Sequence, residues 1–364
     1  MKLAILGSRG IPANYGGFET FAEELAIRLV SKEIQVTVYC EKDATDQPAE
    51  YKGVHLKYIP VSQLGPMTTV LFDLRCLLDV RGKYDIVYML GYGATPFCLI
   101  PRLLGSQVWL NVDGIEWARA KWSPFAKLYF KMMESFSTWI PNRIIADAEG
   151  IKKHYESRHR LSAKCSVIAY GAPILEKNPD ETLLNDWGLS PGKYYLVVAR
   201  LEPENHVREI IEGYLSSDTE LPLLVVGDYK TETDYVKRLL KFQGEKVQFA
   251  GGVYDRTKLQ ALRFHTCAYF HGHSVGGTNP SLLEALGCGN LIIAHDNLYN
   301  REVCEGVGFY FKSSKDIPTI LERVESLSVE ARKELSDKAR NRIRDKYNWD
   351  KIAQAYIDLI HTDL

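Results

Sequence analysis

The amino-acid sequence predicts an α/β protein made of two doubly wound domains, each with a parallel sheet covered by helices. Short β-branched runs alternate with helical stretches along the chain, which is the pattern of parallel strands joined by helical crossovers. The alternation starts again after a polar, proline-containing segment at 173–193. The length of 364 residues is typical of two ordinary domains.

The predicted strands and helices divide the chain into two similar halves. The predicted strands are Leu3–Leu6, Val36–Tyr39, Val54–Ile59, Ile86–Met89, Val108–Val112, Ile144–Ala146, Val167–Tyr170, Tyr195–Ala199, Leu223–Val226, Val247–Phe249, Ala268–Phe270, Leu291–Ala294 and Gly308–Phe311. Predicted helices include Glu19–Val30, Val329–Tyr347 and Trp349–Ile360. We expect residues 1–172, with the C-terminal helix at about 349–364, to form one Rossmann-like domain and residues 173–348 the other. Ligands bind at the carboxyl ends of such strands, so we expect the two sheets to face an interdomain cleft.

The composition argues against several classes of protein. Hydrophobic residues make up 46% of the chain and charged residues 25%, as in a folded globular protein. The 45 basic residues are balanced by 46 acidic ones, which argues against nucleic acid as a partner. The first apolar run predicts a strand rather than a signal peptide, and no run is long enough to span a bilayer. Seven scattered cysteines without metal-ligand spacing indicate reduced thiols, so we expect a cytoplasmic protein without a metal or another cofactor.

The segment Gly276–Gly289 is the most informative stretch of the sequence. Gly276 and Gly277 predict a turn, and Pro280 is favoured in the first turn of a helix. Predicted strands precede and follow this segment, so the helix would begin at the carboxyl edge of a sheet. Free N–H groups at a helix N-terminus attract anions. Glu284, about one turn into the helix, would accept a hydrogen bond from a sugar hydroxyl, so the segment indicates a nucleotide or nucleotide-sugar site.

A second glycine-rich loop, at 7–19, follows the first predicted strand and leads into the first long helix. Its glycines have neither the spacing of a dinucleotide-binding fingerprint nor that of a P-loop. Gly16 and Gly17 at the helix start would still let a ligand approach the backbone closely. The alternative is a plain turn with a helix cap.

Asp113 and Glu116 lie at the end of a strand that is predicted to be buried. Two carboxylates beside an indole, that of Trp117, are typical of the edge of an active site. The alternative is that Asp113 caps the next helix and Glu116 completes a capping box.

Arg200 ends a predicted strand and lies beside a helix start. Its planar set of donors would suit the oxygens of a diphosphate. The alternative is a surface salt bridge with Glu202 or Glu204.

Two other motifs have competing interpretations. His271 and His273 form a His-x-His pair, but the sequence shows no third metal ligand at a suitable spacing, which favours ordinary polar residues at a strand end. The segment Lys121–Met133 mixes lysines with large apolar residues. It would lie on the inner face of the plasma membrane as a peripheral contact, or it would be a core-facing helix with its lysines outside.

The residues quoted above, taken together, resemble a known family. Gly16-Gly17-Phe18-Glu19, Arg200-Leu201-Glu202-Pro203-Glu204-Asn205 and Gly277-Thr278-Asn279-Pro280-Ser281-Leu282-Leu283-Glu284-Ala285 look like a retaining glycosyltransferase of the GT-B fold, of large family four. More narrowly, they resemble the bacterial rhamnosyltransferases that build capsule, O-antigen or cell-wall polysaccharides. The resemblance covers nearly the whole chain.

The resemblance implies roles for residues of both domains. Gly16 and Gly17 would approach the donor diphosphate from the N-terminal, acceptor-side domain, and Arg200 would bind it from the other domain. The donor-binding set that the resemblance implies is Gly16, Gly17, Arg200, Asn205, Gly277, Thr278, Asn279, Ser281 and Glu284. Glu284 would bind the ribose hydroxyls. The catalytic candidates are Asp113, Glu116 and Arg200, with Asp113 orienting or deprotonating the acceptor.

Three departures from the wider family bear on the donor. Gly276 stands where the family has a glutamate that touches the donor sugar, and Asn205 stands where the family has a lysine that pairs with the arginine. His206 and Arg208 are candidates to replace that lysine. Asp113 replaces a histidine that commonly contacts the 6-hydroxyl of the sugar. Because rhamnose is a 6-deoxy sugar, the loss of that histidine is consistent with a rhamnosyl donor.

We therefore expect transfer of L-rhamnose from dTDP-β-L-rhamnose to a lipid-diphosphate-linked sugar acceptor. Two alternatives remain open at this point. One is an enzyme with the same fold that acts on a UDP- or GDP-sugar, as a transferase or an epimerase. The other is a non-catalytic nucleotide-sugar-binding partner of a polysaccharide machine.

Overall fold

The computed structural model describes residues 1–13, 16–42, 47–62, 65–161, 163–230 and 233–364. Contacts divide these residues into two compact units. The N-terminal unit contains Met1–Ala118, Trp122–Tyr170 and Trp349–Leu364, and the C-terminal unit contains Arg119–Lys121 and Gly171–Asn348. Each unit has its own sheet and its own buried apolar core.

The N-terminal unit is built around one sheet. Its strands are β1 (Lys2–Leu6), β2 (Gln35–Lys42), β3 (Glu50–Tyr51), β4 (Val54–Pro60), β5 (Ile86–Leu90), β6 (Gln107–Asn111), β7 (Arg143–Ala146) and β8 (Lys164–Val167). Its helices are α1 (Gly17–Val30), α2 (Thr68–Asp79), α3 (Leu99–Leu103), α4 (Pro124–Ser137) and α5 (Glu149–Arg158). Within the described part of the chain the strand order is β3-β4-β2-β1-β5-β6-β7-β8, and only the β3–β4 pair is antiparallel.

The C-terminal unit repeats this architecture with a fully parallel sheet. Its strands are β9 (Tyr195–Val198), β10 (Leu223–Val226), β11 (Val247–Gly251), β12 (Ala268–His271), β13 (Ile292–His295) and β14 (Gly308–Phe311). Its helices are α6 (Val207–Leu215), α7 (Asp234–Leu239), α8 (Arg256–Phe264), α9 (Pro280–Gly287), α10 (Leu298–Cys304), α11 (Ile317–Glu325) and α12 (Val329–Arg342). The strand order of the described residues is β11-β10-β9-β12-β13-β14. The predicted class of two doubly wound α/β domains is therefore confirmed.

The strand order of each sheet reverses at one point. In the N-terminal unit the reversal lies between β1 and β5, and in the C-terminal unit it lies between β9 and β12. Ligands of doubly wound proteins bind in the crevice at the carboxyl ends of the two strands that flank such a reversal. The loops that follow these four strands are therefore where each domain is expected to hold a ligand.

The last helix, α13 (Trp349–Asp363), belongs to the N-terminal unit. The hydroxyl of Tyr356 lies 2.7 Å from that of Tyr88 in β5, and both side chains are buried. At the end of the helix Asp363 Oδ2 accepts a 2.6 Å hydrogen bond from Arg143 Nε of β7, and this pair is also buried. A buried ion pair whose partner is removed costs several kcal/mol, so these contacts fix the chain end on the N-terminal sheet.

Several predicted elements differ from the observed ones at their ends, and two of these differences matter for the packing. The last strand of the first half was expected at Val167–Tyr170, but β8 is Lys164–Val167. Tyr170 is buried because its ring packs against Phe21 of α1, with ring centroids 5.2 Å apart, and not because it pairs in the sheet. The helix expected at Val329–Tyr347 is α-helical only to Arg342, and Ile343–Tyr347 continues it as a π-helical turn.

Candidate functional site

The loops after β9 and β12 lie at the strand-order reversal of the C-terminal sheet. The first loop carries Arg200 and Asn205, and the second contains residues 272–279 and leads into α9. The two loops are closely packed, because a Cβ atom added to Gly272 would overlap the backbone carbonyl of Asn205. A glycine at 272 is therefore required for the second loop to approach the first.

Helix α9 begins as the sequence predicts. Asn279 is the N-cap residue, and its side-chain oxygen accepts a 2.9 Å hydrogen bond from the backbone N–H of Ser281. Pro280 occupies the first turn, where its missing N–H costs no hydrogen bond. Thr278 is buried just before the cap. Gly276 and Gly277 precede it, and Gly276 has a φ of 126° with open space where a side chain would begin.

Arg200 presents its guanidinium to solvent at this edge of the sheet. Its side chain is 54% exposed, and Nη1 lies 3.9 Å from Glu202 Oε1. An ion pair this long and this exposed contributes little to stability. A salt bridge with Glu202 is therefore too weak to account for the placement of Arg200. The guanidinium remains accessible to an anion.

Asn205 supports the Arg200 loop from inside the domain. Its buried side chain donates a 2.8 Å hydrogen bond from Nδ2 to the carbonyl oxygen of Arg200. The resemblance assigned Asn205 to donor binding, and the structure places its amide against the backbone of the residue that carries the guanidinium. Nδ1 of the neighbouring His206 donates a 2.9 Å hydrogen bond to the carbonyl oxygen of Gly272, which joins the two loops again.

Ser281 and Glu284 of α9 contact a buried arginine. Arg263 of α8 places Nη2 2.7 Å from Glu284 Oε2 and 3.2 Å from Ser281 Oγ. The Ser281 hydroxyl also lies 2.7 Å from the Tyr269 hydroxyl. The Arg263 side chain is 5% exposed and the Glu284 side chain 32%. Ser281 is thus held inside the domain, whereas the Glu284 carboxylate is partly open to solvent.

Four histidines stack in pairs at the same edge. The rings of His271 and His273 are 4.4 Å apart, and those of His206 and His295 are 4.1 Å apart. Burial, with nearby His295, lowers the pKa of His271 to about 3, and burial, with nearby His206, lowers the pKa of His295 to about 4. His271 and His295 are therefore neutral at physiological pH and add no positive charge to that of Arg200.

His271 and His273 lie close to other titratable side chains. Among the described residues, however, none of the resulting groups has the arrangement of a metal site. No group of three or more histidine, cysteine, aspartate or glutamate side chains in the described part of the chain could hold a metal ion. Both ring nitrogens of His271 are buried without a hydrogen-bond partner among the described residues. The stacked rings pack at the ends of β12 and β13.

In the N-terminal unit, carboxylates of α1 hold the loop after β1. Glu19 Oε1 accepts a 2.9 Å hydrogen bond from the N–H of Arg9, and Glu23 Oε2 accepts a 2.6 Å hydrogen bond from the N–H of Ala13. Gly16 is the N-cap residue of α1, and Gly17 is the first residue of the helix. Asn14 and Tyr15 of this loop lie outside the described residues.

Asp113 follows β6 in a left-handed backbone conformation, with a φ of 49°. Its N–H donates a 2.8 Å hydrogen bond to Oδ1 of Asn111, which is fully buried. Asn111 in turn donates a 3.3 Å hydrogen bond from Nδ2 to the Tyr88 hydroxyl, which contacts Tyr356 of α13. A buried polar chain thus links the backbone at Asp113 to the C-terminal helix within one unit.

Glu116 is directed towards the segment that precedes α4. Its Oε2 accepts a 3.0 Å hydrogen bond from the indole N–H of Trp122, and its own N–H donates to the Tyr92 hydroxyl at 2.9 Å. The adjacent Trp117 donates from Nε1 to Glu134 Oε2 of α4 at 2.5 Å. Glu116 and Trp117 therefore fix the loop after β6 against α4.

The segment 121–133 divides between the two units. Lys121 belongs to the C-terminal unit and places Nζ 3.4 Å from Glu202 Oε1, whereas the rest of the segment is in the N-terminal unit. On α4 the side chains of Phe125, Leu128 and Met132 are all exposed. Their spacing of three and four residues places them on one helix face. No helix in the described part of the chain is both long enough and apolar enough to cross a membrane.

Two residues of the site were not identified from the sequence. Arg263 follows Leu262 and comes four residues after Leu259 in α8, so it lies on the apolar stripe of an amphipathic helix. A charged residue at such a position requires a buried partner, which was the signal available in the sequence. Asn111 gave no such signal, because an asparagine at the end of a strand is ordinary.

Two family matches divide the chain between them. Residues 1–173 match a domain of unknown function, DUF1972, and residues 181–346 match the glycosyl transferases group 1 family. Among curated proteins, the lipopolysaccharide 1,2-N-acetylglucosaminetransferase of Salmonella typhimurium is 23% identical over 64% of this chain and 66% of its own length. An uncharacterized glycosyltransferase of Methanocaldococcus jannaschii is 28% identical over 44% of this chain. The chain thus spans 66% and 42% of the lengths of these two relatives.

Solved structures match over the whole chain at low identity. Sucrose-phosphate synthase of Thermosynechococcus elongatus has a TM-score of 0.80 at 16% identity and covers 99% of this chain, with 98% of its own length matched. The Anabaena protein HepE, in complex with UDP-glucose, has a TM-score of 0.76 at 15% identity, with both chains fully covered. These similarities show the fold. Residues 181–346 therefore resemble group 1 glycosyl transferases, and the chain as a whole has the GT-B fold of two Rossmann-like domains.

Proposed function

We propose that the protein is a retaining glycosyltransferase that transfers L-rhamnose from dTDP-β-L-rhamnose to a lipid-diphosphate-linked sugar during surface polysaccharide synthesis. The observation that carries this proposal is the exposed guanidinium of Arg200 at the strand-order reversal of the domain that contains α9. The match of residues 181–346 to group 1 glycosyl transferases supports the reaction class. The donor sugar and the acceptor rest on the motif resemblance.

The C-terminal unit would bind the donor and stabilise the leaving group. When the bond between the anomeric carbon and the diphosphate breaks, the electron pair leaves with the diphosphate oxygen. Arg200 is suited to this charge because a guanidinium binds phosphate oxygens with paired hydrogen bonds. The backbone around Gly277–Asn279, at the positive end of α9, would add further donors. Donors of this kind that are fixed before the reaction accelerate it by several kcal/mol.

The N-terminal unit would supply Asp113 to the acceptor. The acceptor hydroxyl oxygen forms the new bond to the anomeric carbon on the face that the diphosphate leaves, and its proton passes to the leaving phosphate. Asp113 would orient that hydroxyl for the transfer, or would take its proton in place of the phosphate, and Glu116 would fix the loop through Trp122. Gly16 and Gly17 at the start of α1 would leave room for the donor diphosphate.

The choice of a 6-deoxy sugar rests on Asp113 and Gly276. Related enzymes place a histidine at the first position, where it contacts a 6-hydroxyl, and a glutamate at the second, where it touches the donor sugar. This chain has neither the histidine nor the glutamate at these positions. A donor sugar without the 6-hydroxyl has no group for that histidine to contact, so the replacement of the histidine by Asp113 would cost it no hydrogen bond.

A donor panel tests the proposal. The purified chain would be incubated with a lipid-linked GlcNAc or glucose acceptor and with dTDP-rhamnose, UDP-GlcNAc, UDP-glucose or GDP-mannose, and the products would be identified by mass. Turnover with dTDP-rhamnose is expected. Turnover with another donor and none with dTDP-rhamnose would contradict the donor assignment, and binding without turnover across all acceptors would contradict an enzymatic role.

A UDP-sugar donor is the second candidate, and two observations favour it. The Salmonella relative is named as an N-acetylglucosaminetransferase, and HepE was solved with UDP-glucose. Thermal unfolding with a panel of nucleoside diphosphates separates the two candidates, since a ligand raises the unfolding temperature according to its affinity for the folded state. A larger shift with UDP than with dTDP would favour the UDP-sugar.

We further propose that α4 brings the protein to the membrane that carries the lipid-linked acceptor. Phe125, Leu128 and Met132 form its exposed apolar face, and the exposed Lys131 flanks this face three residues after Leu128. Such a face with an adjacent cation suits an anionic lipid surface. The fraction of protein that sediments with phosphatidylcholine–phosphatidylglycerol vesicles is expected to be lower for Phe125→Asp than for the wild-type protein. The control is Val329→Asp, which replaces an equally exposed apolar residue of the C-terminal unit; equal binding of both variants would contradict the contact.

A further inference from the structure

One of the two carboxylate oxygens of Glu284 is already paired with a side chain of the protein. Arg263 Nη2 lies 2.7 Å from Oε2, whereas Oε1 has no hydrogen-bond partner among the described residues. The Glu284 side chain is 32% exposed, so solvent or a ligand can reach its carboxylate. The two oxygens of Glu284 are therefore not equivalent.

Arg263 cannot easily release its oxygen. The guanidinium is 5% exposed, and Glu284 is its carboxylate partner within the described part of the chain. Its Nε is buried without a hydrogen-bond partner among the described residues, and its carbonyl accepts a hydrogen bond from Asn290. Removing the partner of a buried charge is strongly unfavourable. A ligand that drew Oε2 away from Arg263 would have to compensate for that loss.

This arrangement limits what the carboxylate can recognise. A free carboxylate binds a cis-diol well, because each oxygen accepts a hydrogen bond from one hydroxyl. Oε2, which lies 2.7 Å from the Arg263 guanidinium, is a weaker acceptor than a free carboxylate oxygen, because the cation neutralises its charge. Glu284 is then suited to one hydroxyl, through Oε1, and not to two.

We propose that Arg263 makes the pentose subsite selective for a single hydroxyl, so that a 2′-deoxyribose nucleotide binds nearly as well as its ribose counterpart. This inference rests on the proposed function, in which Glu284 binds the pentose of the donor. It deepens that function, because thymidine diphosphate sugars carry 2′-deoxyribose. Arg263 would act through Glu284 and would not touch the nucleotide.

The test compares two nucleotides that differ by one hydroxyl group. Dissociation constants of the full chain would be measured by calorimetry for dTDP and for 5-methyluridine 5′-diphosphate, its 2′-hydroxy counterpart. The wild-type protein is expected to bind the two within about threefold of each other, since Oε2 contributes at most a weak hydrogen bond. A preference for the ribonucleotide of about tenfold or more, the value of a hydrogen bond to a free carboxylate, would overturn the proposal.

A substitution of Arg263 makes the test specific. In Arg263→Met both oxygens are free, so the ratio of the two constants is expected to move towards the ribonucleotide by about tenfold. Arg263→Lys retains a cation and is expected to keep the wild-type ratio. If Arg263 had only a structural role, Arg263→Met would weaken the binding of both nucleotides equally. An unchanged ratio of the two dissociation constants would therefore overturn the proposal.

Controls separate this inference from the proposed function. Lys258→Met, on the exposed face of α8, is expected to leave the ratio unchanged. Should Arg263→Met fail to fold, as judged by thermal unfolding without nucleotide, the wild-type and Arg263→Lys ratios decide. Failure of both nucleotides to bind the wild-type protein would contradict the proposed function itself.

Discussion

The side-chain amide of Asn205 donates a 2.8 Å hydrogen bond to the carbonyl oxygen of Arg200. Asn205 is buried, and the carbonyl belongs to the residue whose guanidinium would bind the diphosphate. The two residues lie in one short loop after β9. By holding the backbone of Arg200, the neutral side chain of Asn205 therefore helps to position the charged guanidinium.

Asn205→Asp is expected to weaken donor use without removing the charge of Arg200. A carboxylate cannot donate to the Arg200 carbonyl and would repel it, and the loss of one such hydrogen bond is worth about 1 kcal/mol, or roughly five- to tenfold in kcat/KM. Steady-state kinetics with varied donor would measure this. Asn297→Asp, at the N-cap of α10, is the matched control; an equal loss there would show that the effect is general and not due to the Arg200 loop.

Arg200→Met is expected to lower kcat by about 10²- to 10³-fold, because it removes a cation that stabilises the leaving diphosphate. The side chain is 54% exposed, so the free energy of unfolding is expected to change by no more than about 0.5 kcal/mol. Rapid-quench kinetics and chemical denaturation measure the two quantities. Arg238→Met, which removes another exposed arginine of the same domain, serves as the control. Activity near the wild-type level would exclude a role in leaving-group stabilisation.

Asp113→Asn is expected to abolish most turnover and to leave the fold and donor binding intact. Asparagine tolerates the left-handed conformation that residue 113 adopts, with a φ of 49°. The N–H bond to Asn111 is also preserved, because it involves the backbone of residue 113. Product formation and dTDP binding would be measured on the same preparation. Normal turnover would remove Asp113 from the mechanism.

Glu134 makes the stability of the N-terminal unit depend on pH. Burial alone would raise the pKa of this carboxyl, but hydrogen bonds from His154, His159 and Trp117 outweigh burial and hold the pKa below its usual value. A carboxyl whose pKa is lower in the folded state stabilises the fold at pH values above its unfolded pKa. That contribution is lost as the pH falls through the folded pKa.

Glu134→Gln is therefore expected to destabilise the protein at neutral pH by about 1–3 kcal/mol, since buried donors lose a charged acceptor. The difference from the wild-type protein is expected to shrink as the pH is lowered below 4.5, the ordinary value for a glutamate. Urea unfolding at several pH values would measure it. Glu156→Gln, which changes a half-exposed carboxylate of α5, is the control. A difference that stays constant across the acid range would contradict the assignment.

The sequence was most informative where local rules decide the structure. The turn at Gly276, the first-turn position of Pro280 and the start of α9 follow from glycine, proline and cap preferences that act within a few residues. The parallel sheets followed from alternating buried strands and helices. These features were enough to place Arg200, Asp113 and Glu284 at the carboxyl edges of sheets.

Contacts between residues far apart in the sequence could not be obtained in the same way. Arg263 and Glu284 are on different helices, and only the tertiary fold brings their charges together. Asn205 was assigned by its place in a motif, although its contact with the Arg200 carbonyl depends on how the loop closes on itself. Motif resemblance gives the position of a residue, whereas burial and hydrogen bonding decide what its side chain does.

NMR analysis of one reaction tests whether the protein transfers rhamnose with retention of the anomeric configuration. The purified protein would be mixed with dTDP-β-L-rhamnose and a lipid-linked GlcNAc or glucose acceptor, and the anomeric signals would be followed over time. Release of dTDP together with a new β-L-rhamnosyl linkage is expected. Formation of an α-L-rhamnosyl product would contradict retention, and the absence of transfer from this donor, with transfer from UDP-GlcNAc under the same conditions, would contradict the donor itself.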